Sequence, residues 1–395
     1  MAALKSVPEI RFTGFSEPWE VRKLGEFVDV TTGKLDANAM VEDGDYDFYT
    51  SGIKKYRIDI PAFEGPAITI AGNGATVGYM HLADGKFNAY QRTYVLTHFR
   101  SDRQFLFAEI SNKLPRKISE EARTGNIPYI VMDMINKLDI KIPIDSNEQK
   151  CVGAVFANLD HLLALHKREL TKLQNMRRAM LEKMFPKDGE NIPEIRFAGF
   201  SDGWEQAEVG EILAEKISNG IMNQPGRNNL NIKHINVVNL YTPSYIHLDE
   251  LEYINVTRND LNRCNVEVDD IFLTRSSLKV DGIAQANILL NEGTLVFDDH
   301  IMRLKLTEKF EPFFIKESLN YSPVKKQFMA KSKTGTMTTI GQEDITSSTI
   351  TFPSKPEQSA IGDFFLTLDH LLALHKRELT KLQNIKRALL EKMFI

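Results

Sequence analysis

The sequence has only two cysteines, Cys151 and Cys264, which stand far apart with no group of metal ligands near either. This spacing excludes a disulfide framework and gives no support for a zinc site. Apolar runs are also short, such as Leu371 to Leu374, far below the roughly 20 residues of a membrane-spanning helix. The N-terminus lacks an apolar core and a cleavage signature. We therefore expect a cytoplasmic protein with reduced thiols and no bound metal.

An excess of positive charge is missing as well, because the net charge is −4. This balance argues against a protein that coats nucleic acid through bulk electrostatics, so any binding of DNA must use local basic patches. With 395 residues, of which 42% are hydrophobic and 26% charged, the chain is long enough to bury sizeable cores. The length predicts two or three domains of an ordinary globular protein.

Two blocks of sequence occur twice, which decides the architecture. Residues 159–185 match residues 368–394 at 24 of 27 positions, and residues 7–20 match residues 192–205 at 10 of 14 positions. The segments between the blocks, 21–147 and 206–356, differ in both length and sequence. The chain thus consists of two constant frames that hold two different inserts. The predicted segments are 1–147, 148–187, 188–356 and 357–395.

Each copy of the longer block carries a heptad pattern of apolar residues, contains no proline and has glycine only near its start, as a long coiled-coil helix does. Residues 152–184 would span about 50 Å at 1.5 Å per residue. His166 and His375 occupy matching seam positions without other ligands nearby, and we assign them no chemistry. The residues predicted to pair the helices are Leu159, Leu163, His166, Leu170, Leu173, Leu368, Leu372, His375, Leu379 and Leu382.

The inserts contain short β-like runs separated by turns, including residues 67–70, 93–96, 235–238 and 270–274. Both inserts also end on an apolar strand, a proline and a Glu-Gln pair: Pro143 with Glu148-Gln149, and Pro353 with Glu357-Gln358. We therefore predict a mixed α/β fold of two similar α+β domains. Two long antiparallel coiled-coil helices join and separate these domains in a pseudo-twofold duplication.

This order of a divergent insert, a proline, a Glu-Gln pair and an LDHLLALHKRELTKLQ helix, repeated after a PEIRF block, resembles the specificity subunits of type I restriction-modification systems. The resemblance covers essentially the whole chain. It implies that the inserts are target recognition domains, each reading one half of a split site in double-stranded DNA, and that the helices dock methyltransferase subunits. It also implies two methyltransferase (modification) subunits and motor/nuclease (restriction) subunits as partners, with no catalytic residue in this chain.

Helix length is consistent with that role on independent grounds. If the two helices pack antiparallel, they place similar heads at opposite ends about a pseudo-twofold axis. A twofold-related reader places its half-sites about one DNA turn apart, near 34–36 Å. The helices would then set the distance between the two half-sites.

Three patterns could suggest catalysis, and we interpret none of them as catalytic. The glycine-rich run from Gly72 to Gly78 is followed by Asp84-Gly85 before any helix could form, which argues against a nucleotide loop and favours a surface turn near the DNA. Asn126-Ile127-Pro128-Tyr129 only partly matches an amino-methyltransferase motif and is interpreted as structural. No phosphate loop of the ATPase type occurs. S-adenosylmethionine, ATP and Mg are therefore expected in partner subunits, and no cofactor in this chain.

The candidate DNA contacts are basic or small polar residues near turns and β-like runs. Arg92 and Arg275 stand out because arginine can grip guanine through two hydrogen bonds. In the first insert the candidates are Lys54, Lys55, Arg57, Asn73, Thr76, Arg92, Lys113, Arg116, Lys117 and Arg123. In the second insert they are Arg227, Asn228, Lys233, Arg275, Ser276, Ser277, Lys279, Lys331 and Lys333.

Two other classes of function stay open at this point. A coiled-coil adaptor with two protein-binding heads would use the same helices and would need apolar patches on its heads. An enzyme with two copies of an active site is a weaker alternative. Two basic concave faces would favour the DNA reader instead.

Overall fold

The chain folds into two units, each of which mixes strands and helices. The computed structural model describes residues 7–121, 129–222 and 230–394. The first unit comprises Met1–His166 and Glu378–Ile395, and the second comprises Lys167–Arg377. The mixed α/β class predicted from the sequence is confirmed. In the described part of the chain, no helix is both long and apolar enough to cross a membrane.

The described part of the first unit contains ten strands, two shorter helices, the beginning of one long helix and the end of another. In chain order these are β1 Glu20–Lys23, β2 Asp29–Thr32, β3 Tyr46–Tyr49, β4 Tyr56–Ile58, β5 Phe63–Glu64, β6 Ala67–Ala71, β7 Met80–Ala83, β8 Lys86–Ala89, β9 Thr93–Thr97, α1 Arg103–Glu121, α2 Met132–Asn136, β10 Asp139–Ile142 and α3 Ser146–Lys183. Short 3-10 helices lie at Leu24–Glu26 and Ala37–Ala39.

The strands and helices of the second unit repeat this plan, with some additional short elements. They are β11 Glu205–Glu208, β12 Ser218–Asn219, β13 Leu230–Ile235, β14 Glu252–Val256, α4 Arg258–Cys264, β15 Ile271–Thr274, β16 Ser276–Ser277, β17 Ala286–Ile288, β18 Leu295–Phe297, β19 Ile301–Leu304, α5 Pro312–Asn320, α6 Ser322–Lys331, β20 Lys333–Thr334, β21 Thr338–Thr339, α7 Gln342–Thr346, β22 Thr349–Phe352 and α8 Lys355–Met393. The 3-10 helices are Val209–Ile212, Val237–Tyr241, Leu248–Glu250 and Val280–Gly282.

Sheet topology shows that the two units are versions of one fold. The first unit has a sheet in the order β2-β9-β6-β7, and the second has the corresponding order β12-β19-β15-β17. Beside it, β3 pairs with β4 antiparallel and with β8 parallel, as β13 does with β14 and β18. The antiparallel pair β1 and β10 corresponds to β11 and β22. Unrelated insert sequences therefore adopt the same strand connections.

Each long helix contributes to both units, since α3 and α8 cross the boundaries at residues 166 and 377. In the first unit Phe394 packs on Phe156 with ring centroids 5.3 Å apart, and Lys386 pairs with Asp160. As numbers rise along one helical segment they fall along the other, so the two segments run antiparallel. In the second unit Arg177 pairs with Asp369 in the same way. All ten predicted helix-pairing residues are at least half-buried, and Leu368 is buried.

The repeated Glu-Gln pair holds each frame together. Glu148 accepts hydrogen bonds from Arg11 Nε and Nη2 at 2.6 and 2.8 Å, and Glu357 accepts the corresponding bonds from Arg196 at 2.6 and 2.7 Å. The side-chain amide of Gln149 donates to the carbonyl of Pro143 at 2.8 Å, which ties the end of β10 to α3. The sequence signature in the first turn of each long helix is thus a structural anchor.

One predicted strand is wrong. The run 235–238 was expected to be β-like, but β13 ends at Ile235 and a 3-10 helix occupies Val237–Tyr241. The reason is Asn236, whose side-chain oxygen accepts hydrogen bonds from the backbone N–H groups of Val238 and Asn239 at 3.0 and 3.4 Å. Such capping stabilises a helical turn against continued strand. The predicted strands near 67–70, 93–96 and 270–274 are confirmed.

Candidate nucleic-acid interface

Four loops meet at one corner of each unit, and nine of the nineteen sequence-predicted contact residues lie there. In the first unit the corner is formed by residues 50–55, which follow β3, by residues 72–79 between β6 and β7, by residues 90–92 before β9, and by residues 129–131. In the second unit it is formed by residues 236–245, 275–285, 298–300 and 335–340. We call these the first corner and the second corner.

Backbone hydrogen bonds show that the two corners are equivalent. Gly72 N–H donates to the carbonyl of Arg92 at 2.8 Å, and Arg275 N–H donates to that of His300 at 2.7 Å. Ile130 N–H then donates to Gly72, as Ile340 N–H does to Arg275. Arg92 therefore corresponds to His300, and Arg275 corresponds to Gly72. The two arginines singled out from the sequence therefore do not occupy equivalent positions. Arg92 lies on one loop of the first corner, and Arg275 lies in the second corner on the loop that corresponds to the neighbouring one.

The glycine-rich run forms the hairpin between the antiparallel strands β6 and β7. Gly78 has a φ of +84°, and its counterpart Ala284, whose N–H donates to Thr274 as that of Gly78 does to Ala71, has a φ of +49°. Because the loop joins antiparallel neighbours and no helix follows, a nucleotide-binding βαβ unit is ruled out here. The prediction of a surface turn is confirmed.

Polar contacts fix the first corner in shape. Ser51 Oγ donates to Asn73 Oδ1 at 2.6 Å, and Thr76 Oγ1 donates to the carbonyl of Ser51. His81 Nε2 lies 3.2 Å from the carbonyl of Gly52, and burial lowers the pKa of His81 below its ordinary value. Asn73 and Thr76 thus hold two loops together, and these hydrogen bonds alone explain where the two side chains lie.

The basic residues of the first unit differ in how they are engaged. Lys54 is exposed over the Tyr56 ring at 5.2 Å, and Lys55 is exposed with Asp47 at 3.5 Å. Arg92 is exposed, and its guanidinium has no hydrogen bond or ion pair with any residue in the described ranges. Arg57 donates to Asp47 Oδ1 at 2.6 Å and to the carbonyls of Gly44 and Asp45. Its guanidinium therefore stabilises the turn that precedes β3.

The remaining first-insert candidates lie on α1 or outside the described residues. Arg116 pairs with Glu120 at 2.8 Å on the exposed face of the helix. Lys113 and Lys117 are half-buried, and both have interaction partners. Arg123 falls outside the described residues, as do Arg227 and Asn228 of the second insert.

The second corner surrounds a groove of about 960 Å³. Ser276 and Ser277 are buried at its wall in β16, which pairs with β21, while Lys279 is exposed. Lys333 is exposed on β20, two strands away from Ser276 in the same small sheet. The other lining residues are Asn236, Val237, Val238, Tyr241, Leu278, Asp281, Gly282, Gln285, Asp298, His300 and Met337.

The other two candidate lysines of the second insert are held within the protein. Lys233 donates to the carbonyl of Leu248 at 2.7 Å, and Lys331 donates to Ser347 Oγ at 2.8 Å. Arg275 is exposed and makes only a long contact of 3.4 Å to the carbonyl of Asp299. Among the candidate cations of this insert that the structure describes, Arg275, Lys279 and Lys333 are thus exposed, and Lys279 lines the groove.

The sequence-based search named basic and small polar residues but missed a histidine, two aspartates and a glutamine of the corners. In the second corner His300 Nδ1 lies 2.9 Å from Asp298 Oδ1 and 3.1 Å from Asp299 Oδ1. Within the described ranges this is the one trio of side chains with metal-ligand spacing, and the contacts of the His300 ring with the two carboxylates account for it. In the first corner Gln91 is exposed next to Arg92. The signal that identifies these positions is the backbone equivalence, which no local sequence pattern reveals.

Comparison with known proteins gives one consistent result. The family model described as the type I restriction modification DNA specificity domain matches residues 16–175 and 201–384. The chain is similar to the EcoDI specificity subunit of Escherichia coli, a type I restriction enzyme subunit, at 33% identity over 201 residues. This alignment covers 49% of the chain and 43% of that subunit, less than half of its length.

Two further relatives are covered almost completely. The MjaVIII specificity subunit of a type I restriction enzyme from Methanocaldococcus jannaschii is 20% identical over 405 residues, which cover 95% of this chain and 91% of that subunit. The crystal structure of a type I restriction-modification S subunit from M. genitalium superposes with a TM-score of 0.70 at 17% sequence identity. It covers 98% of this chain and 99% of that one, so the two share their fold.

Proposed function

Since the chain belongs to the family of type I restriction-modification DNA specificity subunits, we propose that it reads the sequence of double-stranded DNA for a multi-subunit enzyme. Each head reads one part of a bipartite site. The observation that carries this proposal is the pair of corners, in which the same backbone hydrogen bonds present different side chains. A constant scaffold with variable exposed side chains is what two readers of different sequences require.

The two long helices set the distance between the half-sites. At 38 and 39 residues and 1.5 Å per residue, each is almost 60 Å long. This exceeds the roughly 34–36 Å of one DNA turn. Antiparallel contacts inside each unit and the matching ion pairs Lys386–Asp160 and Arg177–Asp369 support a pseudo-twofold coiled coil. The predicted half-site geometry rests on this arrangement.

The helices also dock two methyltransferase subunits. Leu162 and Leu165 are 40% and 46% exposed in the first unit, and the equivalent Leu371 and Leu374 are 39% and 52% exposed in the second. Pairs of exposed leucines at equivalent positions are typical of repeated protein contacts. S-adenosylmethionine, ATP and Mg belong to these partners and to the motor/nuclease subunits, in a cytoplasmic complex. This chain contributes recognition and no catalysis.

One observation favours the adaptor alternative. Val238, Tyr241 and Leu278 around the second groove are 69%, 49% and 83% exposed. Apolar residues of this kind suit a protein partner, although they also suit thymine methyl groups in the major groove. A duplex selection experiment distinguishes the two, because an adaptor enriches no DNA sequence.

The test uses the full chain assembled with its methyltransferase subunits and a pool of random duplexes. We expect enrichment of a two-part motif with a fixed gap. Arg92→Ala should weaken or relax one half-site and Arg275→Ala the other, each by about 1–3 kcal/mol if it reads a base. Selection of no motif by the wild-type complex would refute the proposal. Equal weakening for all sequences would make that arginine a phosphate contact.

A further inference from the structure

One pair of adjacent residues occupies the same place in both corners but carries contrasting chemistry. Gln91 N–H donates to the carbonyl of Leu35 at 2.8 Å, and Asp299 N–H donates to that of Ile221 at 3.1 Å. The next residues, Arg92 and His300, accept the equivalent bonds from Gly72 and Arg275. Gln91-Arg92 and Asp299-His300 therefore sit on superimposable backbone, immediately before β9 and β19.

The side chains of the first pair can all donate hydrogen bonds. Arg92 and Gln91 are exposed, and neither side chain has a partner within the described ranges. An arginine can donate to O6 and N7 of guanine together, and a glutamine can match N6 and N7 of adenine. This pair is therefore suited to purine edges in the major groove, with guanine opposite Arg92.

The second pair presents an acceptor. Asp298 is occupied within its own turn, because its Oδ1 accepts the backbone N–H of His300 at 2.8 Å as well as lying beside the imidazole. The Asp299 carboxylate, in contrast, contacts only the His300 ring within the described ranges, at 3.1 Å, and is partly exposed. The Asp299 carboxylate therefore retains acceptor capacity, and it stands between Asp298 and His300, which both line the groove.

A carboxylate at a DNA interface is restricted in what it can face. Phosphates repel it, whereas the amino groups at N4 of cytosine and N6 of adenine donate hydrogen bonds in the major groove. The neighbouring cations Arg275 and Lys279 are exposed on the same corner and can contact the phosphates. The Asp299 carboxylate is therefore expected to face the base edges, while these cations contact the phosphates.

We propose, on the basis of the function proposed above, that Gln91-Arg92 and Asp299-His300 are the base-reading pairs of the two heads. Arg92 reads a guanine in one half-site. Asp299 accepts a hydrogen bond from a base amino group, that of cytosine or adenine, in the other half-site, and the exposed His300 lies beside it. The two half-sites differ in sequence at this equivalent position for that reason.

The test measures binding of the full complex to duplexes that carry the wild-type motif or a single changed base pair. Asp299→Asn should reduce the preference for the amino-bearing base roughly 5- to 150-fold at one position. Arg92→Lys keeps its charge and should reduce the guanine preference of the other half-site by a similar factor. In each case the half-site read by the other head is the internal control and should be unchanged.

Asp281→Asn is the matched charge control, because Asp281 is exposed on the rim of the same groove and loses the same charge. It should raise the affinity for all duplexes alike by removing phosphate repulsion. If Asp299→Asn behaved in the same way, or if Asp299→Asn and Arg92→Lys left both half-sites unaltered, the inference would be overturned while the proposed function stood. A wild-type complex without any two-part motif would instead overturn the proposed function. Circular dichroism of each variant checks that it is folded.

Discussion

Replacing Glu148 or Glu357 with methionine tests whether the Glu-Gln signature anchors each frame. Both carboxylates are 1% exposed, and each forms a two-bond ion pair with an arginine whose side chain is only 10% or 13% exposed. Methionine has a similar length but no acceptor, so the guanidinium of Arg11 or Arg196 loses its partner. Removing one member of a buried pair costs about 3–5 kcal/mol.

The two units should not respond equally. Glu148 Oε1 also accepts the indole N–H of Trp19 at 3.1 Å, whereas the equivalent indole nitrogen of Trp204 is buried without a partner within the described ranges. Glu148→Met therefore leaves an additional buried donor unsatisfied, at a further cost of about 1–3 kcal/mol. We expect Glu148→Met to destabilise the first unit more than Glu357→Met destabilises the second.

The two tryptophans provide the assay, because they are the only ones in the chain and each lies in a different unit. Denaturant unfolding followed by fluorescence in a Trp204→Phe background reports on the first unit, and in a Trp19→Phe background on the second. The parent single-tryptophan proteins are the controls. Losses below about 1 kcal/mol, or equal losses in both units, would refute this account of the anchor.

Three further predictions concern stability and assembly. Burial raises the pKa of Glu109 to about 7, so its protonated form stabilises the fold below its ordinary pKa near 4.5 and this contribution is lost as pH rises through 7. As pH rises from 4.5 to 8, the free energy of unfolding of Glu109→Gln should therefore increase by roughly 3 kcal/mol relative to that of wild type, as measured by Trp19 fluorescence. A difference in unfolding free energy that stays constant with pH would contradict this prediction. Phe394 is buried against Trp19, Phe105 and Phe156, so Phe394→Ala should cost the first unit about 3–5 kcal/mol, with no change in the Trp204 transition. A fragment ending near Lys187 should form a homodimer, because residues 169–185 of a second copy can supply what residues 378–394 supply in the full chain; a persistently monomeric fragment by light scattering would contradict this.

Much of the frame could be predicted because it is encoded locally and twice. Heptad spacing and the lack of proline predicted the long helices, which are confirmed as Ser146–Lys183 and Lys355–Met393. Runs of β-branched and aromatic residues predicted β6 and β9. The family suggested by the repeated signature is confirmed by the match over both halves. What local pattern cannot show is that each unit takes segments of both helices, since that depends on contacts between residues as far as 192 and 226 positions apart.

The site was less predictable for a related reason. Selecting basic residues near turns identified Arg92 and Arg275 but also Arg57, Lys233 and Lys331, which are engaged within the protein. The residue equivalent to Arg92 is a histidine, and it was missed because insert sequences diverge while their strand connections persist. Only the pairing of strands distant in sequence, such as β3 with β8 and β13 with β18, establishes which positions correspond.

The most direct test of the central claim is a map of methylated bases in host DNA with and without this gene. The account predicts a gapped, two-part methylated motif whose halves differ in sequence and which disappears when the gene is deleted. A motif that persists after the deletion, or a single uninterrupted motif, would contradict the claim that this chain reads DNA with two separate heads.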